Sequence, residues 1–370
     1  MKIFLKILLI IVIIAVGAIA CVGLNNSFLD IIAVQDKTSG LQYHFNYYNK
    51  TCSIAGIGSC SDAELHIPDT IGKYRVTSIE ERAFQGCSSI TSIAIPNSVI
   101  IIGADAFDNC DNLTSIAVEG ENPMYYSQGN CLIEKSSKTV TLGCQNSIIP
   151  NDITSIATKA FSSCDDLTSI TIPDSVTSIG DSAFANCENL TNIAFGNGVK
   201  SIGSSAFSGC TNLTSIELGN SFAGTSIDSS AFSGCTNLTN IELGNRVTSI
   251  GENAFSGCTS LTSITIPDSV TSIDWSAFTD CVALESITIG DGITEISSKA
   301  FKNCTSLTSV SIGTSVKHID FSAFYDCDAL KSITYRGTKY QWSTISRGLV
   351  SSRLSIDAIV CTDGTIDIKW

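Results

Sequence analysis

The chain is poor in charge and in the residue constellations that mark a catalyst. Only 15% of its 370 residues are charged, and only three are histidine: His44, His66 and His318. No Cys-x-x-C pair occurs. Tetrahedral zinc sites usually show such spacing, so no metal or other cofactor is expected. No serine stands in a G-x-S-x-G turn, and no phosphate-binding glycine loop follows a strand and opens a helix. Catalysis needs a nucleophile with a base in reach, or two converging carboxylates in a cleft. Neither is announced here, and the chain reads as a non-enzyme. Lys and Arg number 21 against 35 acidic residues, a formal charge of -14. No basic run marks a stripe that would track phosphates, so nucleic acid is not an expected partner.

What the chain has in abundance is repetition. An Ala-Phe pair, two residues, a Cys, two more residues and then an apolar-centred phrase recur ten times. The cysteines fall at Cys87, Cys110, Cys164, Cys187, Cys210, Cys235, Cys258, Cys281, Cys304 and Cys327. Seven of the nine gaps between them are 23 residues, one is 25, and the gap after Cys110 is 54. A fixed period in the twenties is the mark of a solenoid, whose units stack to share one core and therefore make one elongated body.

One unit shows how. In LTSITIPDSVTSIDWSAFTDC, which starts at Leu261, Leu261, Ile264 and Ile266 have the L-x-x-L-x-L spacing. That spacing sends three side chains inward from a short strand while Ser263 and Thr265 point out. Pro267 and Asp268 turn the chain. Val270 and Ile273 make a second inward pair. Phe278 fills the core, and Ala277 lets the next coil approach. The ladder cysteines share this inward phase and read as buried free thiols. Cys52 with Cys60, and Cys131 with Cys144, flank short loops and are open to local disulfides, since pairing cannot be read from spacing.

The phrases SIAIPNSV, SITIPDSV, SIGDSAF and SIGENAF go beyond a generic leucine-rich repeat. The chain resembles the BspA-like, or Treponema pallidum-type, leucine-rich repeat family over about residues 65–335. The resemblance implies a mainly β, right-handed leucine-rich repeat solenoid of about 11–12 coils with N- and C-terminal caps. It divides the chain into an export or anchor segment at 1–24, an N-terminal cap at 25–64, repeats at 65–334 and a C-terminal cap at 335–370. It also implies an exported cell-surface protein that binds other proteins or the surfaces of host or neighbouring cells. A self-associating surface layer or stalk is the alternative. Gly196, Gly219, Gly244, Gly290 and Gly313 replace the turn proline, two residues are added between Ser221 and Thr225, and 119–150 is an irregular insertion.

The first 24 residues place Lys2 and Lys6 before an uncharged apolar run. This reads as a cleaved signal ending near Ala18-Ile19-Ala20, as a lipoprotein signal with Cys21 carrying the lipid, or as an uncleaved membrane helix. Each reading places the repeats outside the cytoplasm, at the cell surface or beyond, with membrane attachment through the N-terminus in two of the three.

The outward positions of the leading strand form two columns of mostly Ser, Thr and Ala. Asn192, Glu217, Asn240 and Glu242 interrupt them and form the candidate binding patch, suited to a basic or hydroxyl-rich partner. Trp275 and Phe321 occupy a slot elsewhere held by small polar residues. Tyr335, Tyr340 and Trp342 follow the last repeat, where a terminal rung needs cover.

Overall fold

The computed structural model describes residues 40–218, 224–347 and 356–368. The apolar N-terminal segment with Cys21 lies outside the described residues. The described chain is nearly all β, a solenoid of about 13 turns.

Each turn runs through three segments. The first is the leading strand, such as Ser263–Ile266, whose alternate residues are buried. It pairs in parallel, residue for residue, with Ser286–Ile289, and that strand pairs likewise with Ser309–Ile312. Isoleucine therefore lies beside isoleucine along the inner face, which suits β-branched side chains on a pleated surface. The second segment is a two-residue strand such as Ser272–Ile273, one of nine strands in a continuous sheet that reaches back to Tyr125–Gln128. The third is a tight arm that carries Ala, Phe and Cys. From Phe161 to Phe324 the arm rings stack nearly parallel, with centroids 4.8–5.4 Å apart.

The ladder cysteines have a defined task. The thiol of Cys258 reaches the Phe232 carbonyl of the preceding turn at 3.4 Å, and Cys281 reaches Phe255 at 3.3 Å. The same contact recurs at Cys110, Cys187, Cys210, Cys235, Cys304 and Cys327. Each Phe carbonyl already accepts the N–H of its own arm's Cys, as Phe255 does from Cys258. The thiol supplies a weak donor for the second lone pair. Burial pushes the thiol pKa up to about 12 at Cys235 and Cys281. All fifteen described cysteines are free.

The insertion is ordered. Tyr125–Gln128, Cys131–Glu134 and Thr139–Leu142 form an antiparallel meander, and the last of these continues the second-strand sheet through Ser155–Ile156. Its middle strand is buried on both sides. Leu132 packs with Tyr125 and Cys144 into the N-terminal core, while Cys131 and Ile133 join Val140 and Ile149 in the C-terminal core. The meander is thus a wall between two cores. Cys131 and Cys144 lie in different cores, and both thiols are free.

The ends differ from the repeats. Gln42–Asn46 and Thr51–Gly56 form an antiparallel hairpin whose second strand runs parallel to Tyr74–Ile79. At the other end Ala358–Cys361 extends the leading sheet beyond Ser332–Tyr335 and is followed by antiparallel Gly364–Asp367. This added strand lies past the last Ala-Phe phrase, so counting phrases falls short of the full number of turns. Tyr335 and Trp342 are buried with ring centroids 5.3 Å apart, whereas Tyr340 is 78% exposed and shields nothing.

Candidate binding face

Three of the four candidate residues come together. Ser215–Glu217 and Asn240–Glu242 pair in parallel, with Ser215 opposite Asn240 and Glu217 opposite Glu242. All three candidates on this pair are exposed. Neighbouring strands lie ~4.8 Å apart, so the two carboxylates are one strand spacing from each other. Like charges directly opposite are unfavourable. Among the described residues neither forms an ion pair with a protein cation. Asn192, also exposed, lies opposite Ser169 on a separate pair, because no backbone ladder joins Asn192–Phe195 to Ser215–Glu217.

The leading sheet is interrupted a second time, between Asn240–Glu242 and Ser263–Ile266. Gly244 and Pro267 occupy the same position one period apart, and they turn the chain differently. Gly244 has φ +63°, which the proline ring cannot adopt. A depression of 340 Å³ lies at this break, lined by Asn240, Glu242 and Gly244 on one side and Ser263, Thr265 and Pro267 on the other. The patch therefore has relief as well as charge.

Much of the remaining hydroxyl-rich surface is engaged in holding turns together. Thr191, Thr214 and Thr239 donate in sequence to the carbonyls of Thr168, Thr191 and Thr214. Lys299 of the next arm sets its ammonium 4.9 Å from the Trp275 ring centroid, and the ring stays 42% exposed. Phe321 is 64% exposed.

The histidines stand apart from this face. His44 Nδ1 lies 2.9 Å from Glu80 Oε1, a contact the sequence reading missed because the partners are 36 residues apart. Ser53 donates to the same carboxylate. The hydroxyl is therefore bonded to the acid and not to the imidazole, and this geometry lacks the nucleophile–base contact. His318 lies opposite Glu295 on paired second strands. Among the described residues no three His, Cys, Asp or Glu side chains are grouped to hold a metal ion.

The family description "BspA type leucine rich repeat region (6 copies)" matches residues 58–143, 132–224 and 225–346. The chain belongs to this family. A leucine-rich repeat protein from Bacteroides ovatus is 27% identical, with 83% of this chain and 96% of that one covered and a TM-score of 0.50. A leucine rich cell surface protein from Faecalibacterium prausnitzii is also 27% identical, over 86% and 99% of the two chains, with a TM-score of 0.44. The T. pallidum leucine rich repeat protein is 26% identical over 62% and 91%, with a TM-score of 0.36. Comparison with curated proteins finds no match. Among the described residues no helix is long and apolar enough to cross a membrane.

Proposed function

We propose that this BspA-type repeat protein is an exported, non-catalytic scaffold, held to the cell surface by its N-terminus, that binds another protein or a neighbouring cell through its leading face. The observation that carries the reading is the in-register pair Glu217 and Glu242 beside the depression at Asn240. Two exposed carboxylates that form no ion pair among the described residues favour a partner that presents Lys or Arg, and the depression gives that partner something to fit. The small Ser, Thr and Ala side chains around the patch let a broad surface approach closely. Export is supported by Lys2 and Lys6 ahead of the apolar run, and lipid on Cys21 or an uncleaved helix would provide the anchor.

Binding of the full chain to intact neighbouring cells, read by flow cytometry, tests this. The double change Glu217→Ala and Glu242→Ala is expected to weaken binding at least ~10-fold, with a loss that shrinks as salt rises. Equal binding by both proteins would sink the patch. Sedimentation at several concentrations separates the binding scaffold from a self-associating layer, because the scaffold stays monomeric. Mass spectrometry of the mature N-terminus settles the anchor: a diacylglyceryl group on Cys21, an intact Met1, or a free N-terminus at Cys21.

A further inference from the structure

Successive arms are joined by backbone hydrogen bonds in a fixed pattern. The N–H groups of Arg82, Phe84 and Gly86 donate to the carbonyls of Ala104, Ala106 and Asp108 at 3.1, 2.8 and 2.9 Å. The pattern recurs from Lys159, Phe161 and Ser163 to Asp181, Ala183 and Ala185. The insertion contributes strands but no Ala-Phe arm, and there the whole pattern is missing, whereas at Lys299 a single donor turns to the Ser322 hydroxyl instead. Among the described residues the N–H groups of Asp105, Phe107 and Asn109 meet no hydrogen-bond acceptor, and the carbonyls of Thr158 and Ser162 meet no donor. Only the Ala160 carbonyl is met, by Gly143 N–H at 2.7 Å.

A cavity of 220 Å³ occupies the missing position. Phe107, Leu113 and Leu142 give it apolar walls, and Asp105, Asp108 and Lys159 give it charge. The ring of Phe107 stacks on Phe84, and among the described rings nothing stacks on its other side. On the far side of the gap Gly143 lies against the Phe161 ring, where even a methyl group would fall 1.9 Å from it. Among the described residues the flanking arms are tied by side chains. Lys159 Nζ lies 3.2 Å from Asp105 Oδ1 and 3.3 Å from Asp108 Oδ2, and Ser163 donates to Asn109 Oδ1 at 3.0 Å. Asp111 and Asp165 add to the negative field. The carboxyl of Asp111 is raised by burial and then by Asp108, and that of Asp165 by burial and then by Asp111. Two carboxylates thus meet one ammonium, and two more lie behind them, Asp111 within the field of Asp108 and Asp165 within that of Asp111.

We propose that this gap is a binding site for a peptide segment that presents an aromatic side chain beside a lysine or arginine and enters as the missing arm. Its carbonyls accept from Asp105, Phe107 and Asn109, and its N–H groups donate to Thr158 and Ser162. Its ring enters the cavity beside Phe107, and its cation meets the aspartates. The volume suffices for the ring, since a cavity of ~150 Å³ with apolar walls already holds benzene. The charge balance turns away an anionic segment. The site belongs to the arm side of the solenoid and does not depend on the leading-face reading.

The probe is acetyl-Lys-Ala-Phe-Ser-Ser-amide, the sequence of residues 159–163, titrated by calorimetry into the full-length chain, with amide hydrogen exchange followed by mass spectrometry. One-to-one binding is expected, with slowed exchange at Asp105, Phe107 and Asn109. Replacing the peptide's phenylalanine by alanine is expected to weaken binding ~10-fold or more. Replacing its lysine by aspartate is expected to weaken it in a salt-sensitive way. Ala104→Trp or Thr158→Trp, each filling the cavity from one lip, is expected to abolish binding without shifting the melting temperature. The proposal is overturned if the peptide fails to bind at millimolar concentration, binds equally without its ring, or leaves those three amides unprotected.

Discussion

A thiol is a weak donor, yet at eight arm positions it completes a carbonyl that would otherwise have one lone pair unused inside the core. Cysteine suits the slot because it is small, apolar in bulk and still able to donate. The same burial makes these groups inert. With the pKa at Cys235 and Cys281 near 12, the reactive thiolate is scarce at pH 8. Iodoacetamide at that pH should label the half-buried Cys60 and Cys87 well before Cys235 and Cys281, and urea should level the difference. Peptide mass mapping reads this, and equal native labelling of Cys281 and Cys60 would contradict the buried ladder. Phase alone revealed that these cysteines face inward. Their acceptor was not legible, because it is set by how one turn sits on the next.

At the scale of the element, the meander that walls off the two cores decides the most. Leu132 and Ile133 are neighbours in sequence but belong to different cores. Leu132→Ala should cost ~2–5 kcal/mol and loosen amide protection on the N-terminal side of the wall. Ile133→Ala should cost a similar amount and loosen the C-terminal side. Hydrogen exchange distinguishes the two, and identical patterns would mean a single shared core. The regular strands could be read directly from L-x-x-L-x-L, and the register of Ser215 with Asn240 and of Glu217 with Glu242 follows from the period. The wall could not be read as a repeat because it has none. Its signal was the uninterrupted apolar run Cys131-Leu132-Ile133, which suits a strand buried on both sides rather than alternation. The break beside Glu242 was partly visible as Gly244 in place of proline, but its consequence depends on the φ of +63°.

For the molecule as a whole, the acidic surplus makes the charge of the leading face a property that can be altered without touching the core. Glu217→Lys would set opposite charges side by side at Glu242 and is expected to stabilise the fold by ~0.2–1 kcal/mol while weakening attachment to a basic partner. Thermal melting and cell binding should therefore move in opposite directions. A parallel loss of both would mean that the pair serves packing rather than recognition. The wall carries a further consequence. Because it closes the N-terminal core, the array beyond it is free to change length. Excision of residues 258–280, one full period, would join Gly257 to Cys281 and return every inward residue to its phase. The protein would be shorter by one rung of ~4.8 Å, with both ends unchanged. Reach is then an adjustable quantity: near-identical neighbouring units invite unequal recombination, and each gain or loss of a unit resets how far the surface extends without a single core contact being redesigned.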